Sequence, residues 1–194
     1  MLLENRYSPL GLAEDPFSPT FDLRFFYPAS KHQEALAGLI YGIQSRQGFL
    51  AVIGATGTGK SLVLECLIEH LKANSIEFAC LFNSKINPEQ FFELLAHDLE
   101  LSCRNTTKTS ILIALNEYLL KRSQAGQTTV LIVDNAQKLS ADVLEEIELP
   151  GNLENRRGRL LQVIFAAQPS FEHQLEKAEL RGLRRTRMRT RLFL

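Results

Sequence analysis

The sequence predicts an α/β domain with a doubly wound, mostly parallel central sheet. Four short apolar runs, each bounded by polar or turn residues, occupy residues 49–53, 76–82, 129–133 and 161–166. They are nearly continuous in apolar residues, as is typical of strands that helices cover on both faces. Helical patterns separate the runs, and this alternation of strands with helices indicates the fold class.

The chain before the first run supplies a Pro- and Phe-rich segment and then a helix. Residues 1–29 lack helical periodicity, and their four phenylalanines (Phe17, Phe21, Phe25 and Phe26) lead us to expect that they pack on the core. A helix is expected to begin at Ser30, because Ser30 and Gln33 have the spacing of a capping box. Apolar residues then recur on one face, at Leu36, Leu39, Ile40 and Ile43.

Three more helices are predicted between the runs. Residues 62–72 form the first. The second begins after Asn87, a favourable N-cap followed by Pro88 at the first helical position, and its apolar face holds Phe91, Leu94 and Leu95. The third is marked by apolar and aromatic residues at Ile111, Leu112, Leu115, Tyr118 and Leu119.

Composition and charge exclude several classes of protein. The chain has 194 residues, which fits one domain, and 22 basic and 22 acidic side chains give no argument for a nucleic-acid or membrane partner. The three cysteines lack zinc-site or paired spacing and are interpreted as reduced core thiols of a cytoplasmic protein. No apolar run approaches the ~20 residues that span a bilayer. The four scattered histidines are assigned no catalytic role.

A phosphate-binding loop follows the first run. The stretch GATGTGKS, residues 54–61, matches G-x-x-x-x-G-K-[ST] between a strand and a helix, which is the context this motif requires. Glycines let the backbone curl so that its N–H groups face a phosphate, Lys60 supplies charge to the β- and γ-phosphates, and Ser61 offers a hydroxyl to Mg²⁺. The predicted nucleotide contacts are Gly54, Ala55, Thr56, Gly57, Thr58, Gly59, Lys60, Ser61 and Leu62.

Two polar residues end later strands and are candidates for the same site. Asp134 follows the run 129–133, where a carboxylate would hold Mg²⁺ together with Ser61; its alternative role is a helix N-cap. Gln168 follows the run 161–166 and would reach the γ-phosphate or the attacking water, or would be a solvated residue opening the loop Gln168-Pro169-Ser170.

Five stretches together carry a family resemblance: PLGLAEDPFSPTFDLRFFYPASKHQEALAGLIYGI, GFLAVIGATGTGKS, VLIVDNAQKLS, GNLENRRGRLLQVIFAAQPSF and LRGLRRTRMRTRLFL. They resemble the ATPase domain of ExeA-type AAA+ proteins, the general secretion pathway protein A group, from about residue 9 to residue 194. The resemblance implies a P-loop NTPase of AAA+ type, a three-layer sandwich over residues 30–194, with ATP and Mg²⁺ as ligands. It also implies a P-loop strand flanked by the Asp134 strand and by a last strand near 187–193.

The resemblance further implies self-association on ATP binding, with an arginine that reaches a neighbouring subunit's γ-phosphate. Arg184, Arg185 and Arg187 are the candidates. The catalytic residues are then expected to be Lys60, Asp134, Asn135, Gln168, Arg184 and Arg185.

Two departures from the family pattern bear on function. Asn135 stands where AAA+ proteins usually have a glutamate that polarises the attacking water, and an amide cannot accept a proton. This predicts slow hydrolysis, a long-lived ATP state, or a base supplied from elsewhere. The family also continues into a helical lid, which we expect to be absent from residues 30–194.

The C-terminal stretch is rich in arginine, with Arg181, Arg184, Arg185, Arg187, Arg189 and Arg191. It is open to three interpretations: an arginine finger with neighbours, a contact with the phosphate backbone of DNA, or a solvated basic face. The alternation of Arg187, Arg189 and Arg191 also fits the exposed side of an edge strand.

Three functional hypotheses remain open on the sequence. The first is a cytoplasmic ATPase that couples ATP binding and hydrolysis to self-assembly or to remodelling of a secretion or assembly partner, at the inner membrane's cytoplasmic face if it belongs to a longer chain. The second is a nucleotide-gated binding module with little turnover, favoured by Asn135. The third is a DNA-associated regulator of the transposition type, which only the basic end supports. The expected preference for ATP over GTP rests on the family resemblance, and no guanine-reading N/T-K-x-D pattern is present.

Overall fold

The structure, a computed structural model, describes Gly11 and residues 26–82, 85–103, 105–176 and 190–193, the last four by their backbone. Every strand predicted from an apolar run is present, with small shifts at its ends. The elements in chain order are α1 (Ser30–Gln44), β1 (Phe49–Ile53), α2 (Lys60–Ala73), β2 (Glu77–Leu81), α3 (Pro88–Asp98), α4 (Lys108–Gln124), β3 (Thr129–Val133), a 3₁₀ turn (Ala136–Lys138), α5 (Ala141–Gly151), β4 (Glu154–Asn155), β5 (Gly158–Arg159), β6 (Leu161–Ala167), α6 (Ser170–Leu175) and β7 (Thr190–Phe193).

The described residues form a central sheet of five strands in the order β2-β3-β6-β1-β7, and all neighbouring strands run parallel. The predicted fold class is therefore confirmed. Because parallel strands end at the same edge, the residues that follow β1, β3 and β6 meet there. The P-loop, Asp134 and Gln168 thus converge at the carboxyl edge of the sheet.

The neighbours of β1 differ from the arrangement implied by the family resemblance. β7 flanks β1 on one side as expected, but the strand that carries Asp134 does not touch it, because β6 lies between β1 and β3. The pairing of β1 with β6 continues past the strand, where the Gly54 N–H donates to the Ala167 carbonyl at 3.1 Å. Parallel neighbours are joined through crossovers rather than tight turns, so the composition of each strand does not determine strand order.

Helices cover both faces of the sheet. Alternate residues of β1 point to opposite sides, with Phe49, Ala51 and Ile53 in one apolar cluster and Leu50 and Val52 in the other. The first cluster includes buried residues of α3, α4, α5 and α6, and the second includes residues of α1 and α2. This gives the three-layer sandwich expected of the fold.

Helix α1 begins at Ser30 as predicted, but the helix caps agree with the sequence in one case and differ in another. Asn87 caps α3 as predicted: its side chain accepts from the Gln90 N–H at 2.9 Å, and the Gln90 side chain accepts from the Asn87 N–H at 3.0 Å. The predicted capping box at the start of α1 was wrong. Ala29 is the N-cap of α1 without a side-chain bond, and the Gln33 amide donates to the Pro28 carbonyl instead.

Several features lie outside the sequence-based predictions. Helix α5, helix α6 and the β4–β5 hairpin were not predicted. On α3, Leu94 is exposed and Phe92 is buried, so the buried face is Phe91, Phe92 and Leu95. Within the described ranges, no helix is long and apolar enough to cross a bilayer.

Candidate functional site

The P-loop joins β1 to α2 and folds as the motif predicts. Gly57 and Gly59 have φ of +83° and +86°, a left-handed conformation that glycine adopts without steric cost. Gly59 is the N-cap of α2, and the helix begins at Lys60 rather than at 62. The first N–H groups of a helix have no intrahelical partner and carry its positive partial charge. This loop therefore presents a ready anion-binding surface.

The Lys60 ammonium lies inside this loop. Its Nζ donates to the Gly54 carbonyl at 2.9 Å and to the Ala55 carbonyl at 2.8 Å. Partial burial lowers the pKa of Lys60, and the nearby Asp134 carboxylate opposes that shift. A phosphate would offer this ammonium the full negative charge that the carbonyl oxygens lack.

Ser61 and Asp134 meet across the gap between the P-loop and β3. The Ser61 hydroxyl donates to Oδ2 of Asp134 at 3.3 Å, although the two residues are 73 positions apart in the chain. The other carboxylate oxygen, Oδ1, accepts from the Asn135 N–H at 2.7 Å, which fixes the orientation of the carboxylate. The hydroxyl and carboxylate predicted to share Mg²⁺ are thus brought together.

Asn135 and Gln168 are linked by Gln137, a residue to which the sequence analysis assigned no role. The Gln168 backbone N–H donates to Oε1 of Gln137 at 3.1 Å, and Nε2 of Gln137 donates to Oδ1 of Asn135 at 3.4 Å. Gln137 lies in the 3₁₀ turn after β3, so its side chain joins the ends of β3 and β6.

This chain of amides sets the orientation of Asn135. A backbone N–H only donates, so the Gln137 atom that faces Gln168 must be the amide oxygen, and the nitrogen of Gln137 must face Asn135. Asn135 then uses its own oxygen as the acceptor, and its NH₂ group makes no hydrogen bond to the described residues. Asn135 can therefore donate a hydrogen bond to a ligand, but as an amide it cannot accept a proton.

His32 is a second residue that the sequence analysis missed, since it was assigned no catalytic role. It lies in the first turn of α1, and its Nε2 is 2.9 Å from the carbonyl oxygen of Thr58 in the P-loop. The 26 residues that separate the pair leave no spacing pattern that could have identified it.

Some of the remaining predicted site residues lie in the described part of the chain and others do not. Ala55, Thr56 and Leu62 lie in or directly after the P-loop, whereas Arg184, Arg185 and Arg187 lie outside the described residues. Most of the segment 1–29 is outside them too. Across the described part of the chain, no cluster of three or more His, Cys, Asp or Glu could hold a metal ion without help from a ligand.

The residues present fit a Mg²⁺-nucleotide. The loop N–H groups and Lys60 match the charge and acceptor atoms of a polyphosphate. One hydroxyl and one carboxylate, at Ser61 and Asp134, match a hard cation that takes oxygen ligands and completes its shell with phosphate and water. Because these two side chains supply too few oxygen ligands for Mg²⁺, we expect metal binding to depend on the phosphates of a bound nucleotide.

Comparison with known proteins agrees with the fold and gives the family. The family model described as "AAA domain" matches residues 43–175. The chain is 34% identical over 174 residues to General secretion pathway protein A of Aeromonas hydrophila, which covers 89% of this chain and 32% of that protein. The chain therefore spans about a third of the length of this relative.

Solved structures share the architecture. Cdc6p of Pyrobaculum aerophilum matches with a TM-score of 0.68 and 20% identity, covering 93% of this chain and 49% of that one. The ORC2 protein of Aeropyrum pernix, solved as ADPNP–ADP complexes, matches with a TM-score of 0.56 and 13% identity, covering 91% of this chain and 48% of that one. These likenesses concern the fold. With a P-loop, an Asp134 partner and a family match over 43–175, the chain belongs to the AAA domain family and is similar to general secretion pathway protein A.

Proposed function

We propose that this domain binds Mg²⁺-ATP at its P-loop and hydrolyses it slowly. Lys60 holds the β- and γ-phosphates, the α2 N–H groups hold the phosphate oxygens, and Ser61 and Asp134 hold the metal. The bound cation supplies charge neutralisation for phosphoryl transfer. In this proposal Gln168 and Asn135 contact the γ-phosphate or the attacking water.

The observation that carries the proposal is the contact between Ser61 and Asp134, at 3.3 Å. The P-loop motif by itself indicates a phosphate site. A carboxylate from another strand within hydrogen-bond distance of the P-loop hydroxyl adds the second half of a Mg²⁺ site, which a glycine-rich turn with an exposed lysine would not have.

A second candidate, a nucleotide-gated switch with little turnover, is favoured by the amide chain at Asn135. An NH₂ group donates to a phosphate oxygen, but it does not take a proton from water. Such a donor would favour the ATP-bound state without speeding its loss. We therefore expect the ATP state to be long-lived in the absence of a base from elsewhere.

We extend the proposal to what ATP binding does in the cell. ATP-dependent self-association and a protein partner in a secretion or assembly system rest on the similarity to general secretion pathway protein A. A cytoplasmic location rests on the unpaired spacing of the three cysteines. The arginines that would reach a neighbour's γ-phosphate, or would contact DNA, lie outside the described residues. A DNA-associated role therefore draws no support from the structure.

Titration of labelled ATP with Mg²⁺ into the chain, followed by assay of released phosphate, tests the proposal. Lys60→Ala should weaken binding by about 10- to 100-fold, the range for a hydrogen bond to a charged group worth about 1.5–3 kcal/mol. Lys72→Ala is the matched control, because Lys72 is an exposed lysine near the other end of the same helix, paired with Glu69.

Equal affinity for ATP in the parent and in Lys60→Ala would contradict the proposed site. Binding with phosphate release would identify an ATPase, and binding without release would identify the switch. A thermal melt of each variant separates loss of binding from loss of fold.

A further inference from the structure

The imidazole of His32 holds one carbonyl of the P-loop. A carbonyl oxygen only accepts hydrogen bonds, so the Nε2 atom 2.9 Å from Thr58 O must carry the hydrogen. The other ring nitrogen, Nδ1, is buried and has no partner among the described residues. The position of the ring therefore allows the bond to Thr58, while its second nitrogen stays buried without a bond to the described residues.

The backbone of the loop is shaped to receive this ring. A Cβ atom at Gly59 would lie 2.8 Å from Nε2 of His32, closer than real Cβ atoms approach their neighbours, and Gly59 also has a φ of +86°. The edge of the Phe26 ring contacts the imidazole, with centroids 5.4 Å apart and planes at 66°. His32 is thus held between the segment before α1 and the P-loop.

We propose that His32 is a positioning residue that sets the phosphate-binding shape of the P-loop. In a trans peptide, the carbonyl of one residue and the N–H of the next point in opposite directions. When His32 holds the Thr58 carbonyl on its own side, the Gly59 N–H points to the opposite side of the loop. A donor fixed before the ligand arrives costs no ordering when the ligand binds.

This inference rests on the proposed function for its effect on nucleotide, but its structural half is measured without nucleotide. His32→Ala removes the donor. His32→Gln keeps one, because the glutamine Nε2 occupies nearly the same position as the histidine Nε2. His97→Ala is the control, since the His97 side chain is 87% exposed and lies on α3, away from the P-loop.

Two readouts are compared on the full chain: amide hydrogen exchange without nucleotide at Thr58 and Val63, whose N–H groups donate to the Ala55 and Gly59 carbonyls, and the dissociation constant for labelled Mg²⁺-ATP. In His32→Ala, we expect exchange to speed up about fivefold and ATP affinity to fall about fivefold, the factor that one net hydrogen bond contributes. His32→Gln should recover most of both, and His97→Ala should change neither.

Unchanged exchange and affinity in His32→Ala would overturn the inference, and so would equal losses in His32→Ala and His32→Gln, because the bond itself would then not matter. If the parent chain binds no ATP, the proposed function fails, and the exchange measurement still decides the role of His32. A general loss of fold in His32→Ala would show as faster exchange throughout the chain, and the Gln variant then decides.

Discussion

The backbone at Asn135 lies in the left-handed region, with φ of 54° and ψ of 39°. Asparagine tolerates this conformation better than most residues, because its short polar side chain bonds locally. Its side-chain oxygen accepts from Gln137, and its NH₂ group makes no hydrogen bond to the described residues. Asparagine thus suits the left-handed backbone and keeps an NH₂ donor at this position. A glutamate would fit the backbone less well and would lose the donor.

Asn135→Glu should raise the rate of phosphate release. One carboxylate oxygen would accept from Gln137 in place of the amide oxygen, and the other would accept from the attacking water. We expect a gain of about 10- to 100-fold, below the 10²–10⁴-fold typical of a general base, because glutamate fits left-handed backbone less well. Steady-state phosphate release with saturating Mg²⁺-ATP is the measurement.

Asn135→Ala is the control for this substitution, since it removes the amide without adding a base and should not speed turnover. If Asn135→Glu releases phosphate no faster than the parent chain, then Asn135 does not limit hydrolysis, and the base must be supplied by another residue or another subunit.

The parts of the site that were predicted from the sequence are those held in short segments. Lys60 and Ser61 are parts of one continuous motif, and Asp134 directly follows an apolar run. His32 and Gln137 were missed because each acts through a contact with a distant segment, at 26 and 31 positions in the chain. Local patterns carry no signal for such pairs.

At the scale of elements, strand positions were predictable and strand order was not. All five residues of β1 and of β3 are buried, so a continuous apolar run is visible in the sequence. The same property makes the strands alike, and nothing in either run indicates that β6 lies between them. The caps show the same limit. Asn87 and Gln90 form a capping box, whereas Ser30 and Gln33 have the same spacing but Ser30 is already the first residue of α1 and Ala29 is its N-cap.

Asn87→Ala should destabilise the chain by about 1 kcal/mol, the usual loss on removal of an N-cap side chain. The Asn87 side chain supplies the acceptor for the Gln90 N–H in the capping box. The helix that it caps, α3, packs Phe91 and Phe92 into the core. The measurement is the free energy of unfolding from urea denaturation. ATP affinity of the folded chain should not change.

Ser30→Ala provides the matched control, because Ser30 has the sequence pattern of a cap without the contact. We expect its free energy of unfolding to stay within about 0.5 kcal/mol of the parent, as for other exposed positions. A loss in Ser30→Ala as large as that in Asn87→Ala would mean that the Ser30 side chain does cap α1.

At the scale of the whole molecule, the two edges of the sheet serve different purposes. The carboxyl edge holds the P-loop, Asp134 and Gln168. The amino edge is closed by buried polar contacts, in which Gln162 accepts from the Gly48 N–H at 2.8 Å and donates to the Arg159 carbonyl at 2.9 Å. Nearby, Arg46 donates to the Ser123 hydroxyl at 3.0 Å, and burial lowers the pKa of Arg46, with the charge of Arg157 adding to that shift.

This division predicts that stability and nucleotide binding can be changed separately. Gln162 is fully buried near the start of β6, about 20 Å along the strand direction from the edge that holds Gln168. Gln162→Leu keeps the volume but leaves the Gly48 N–H and the Arg159 carbonyl unpaired, which should cost about 2–3 kcal/mol of the free energy of unfolding. Gln44→Leu makes the same chemical change at an exposed position and should cost less than about 0.5 kcal/mol.

Urea denaturation of both variants, together with ATP titration under conditions where each is folded, checks the prediction. Gln162→Leu should bind ATP with the affinity of the parent, because the loop that receives phosphate is anchored at the other end of β1. A variant that unfolds as the parent does would mean that water or a shifted neighbour satisfies the two backbone groups. A variant that is stable but binds ATP weakly would mean that the two edges are coupled through β1 and β6, and the polar contacts of the amino edge would then belong to the nucleotide site as well.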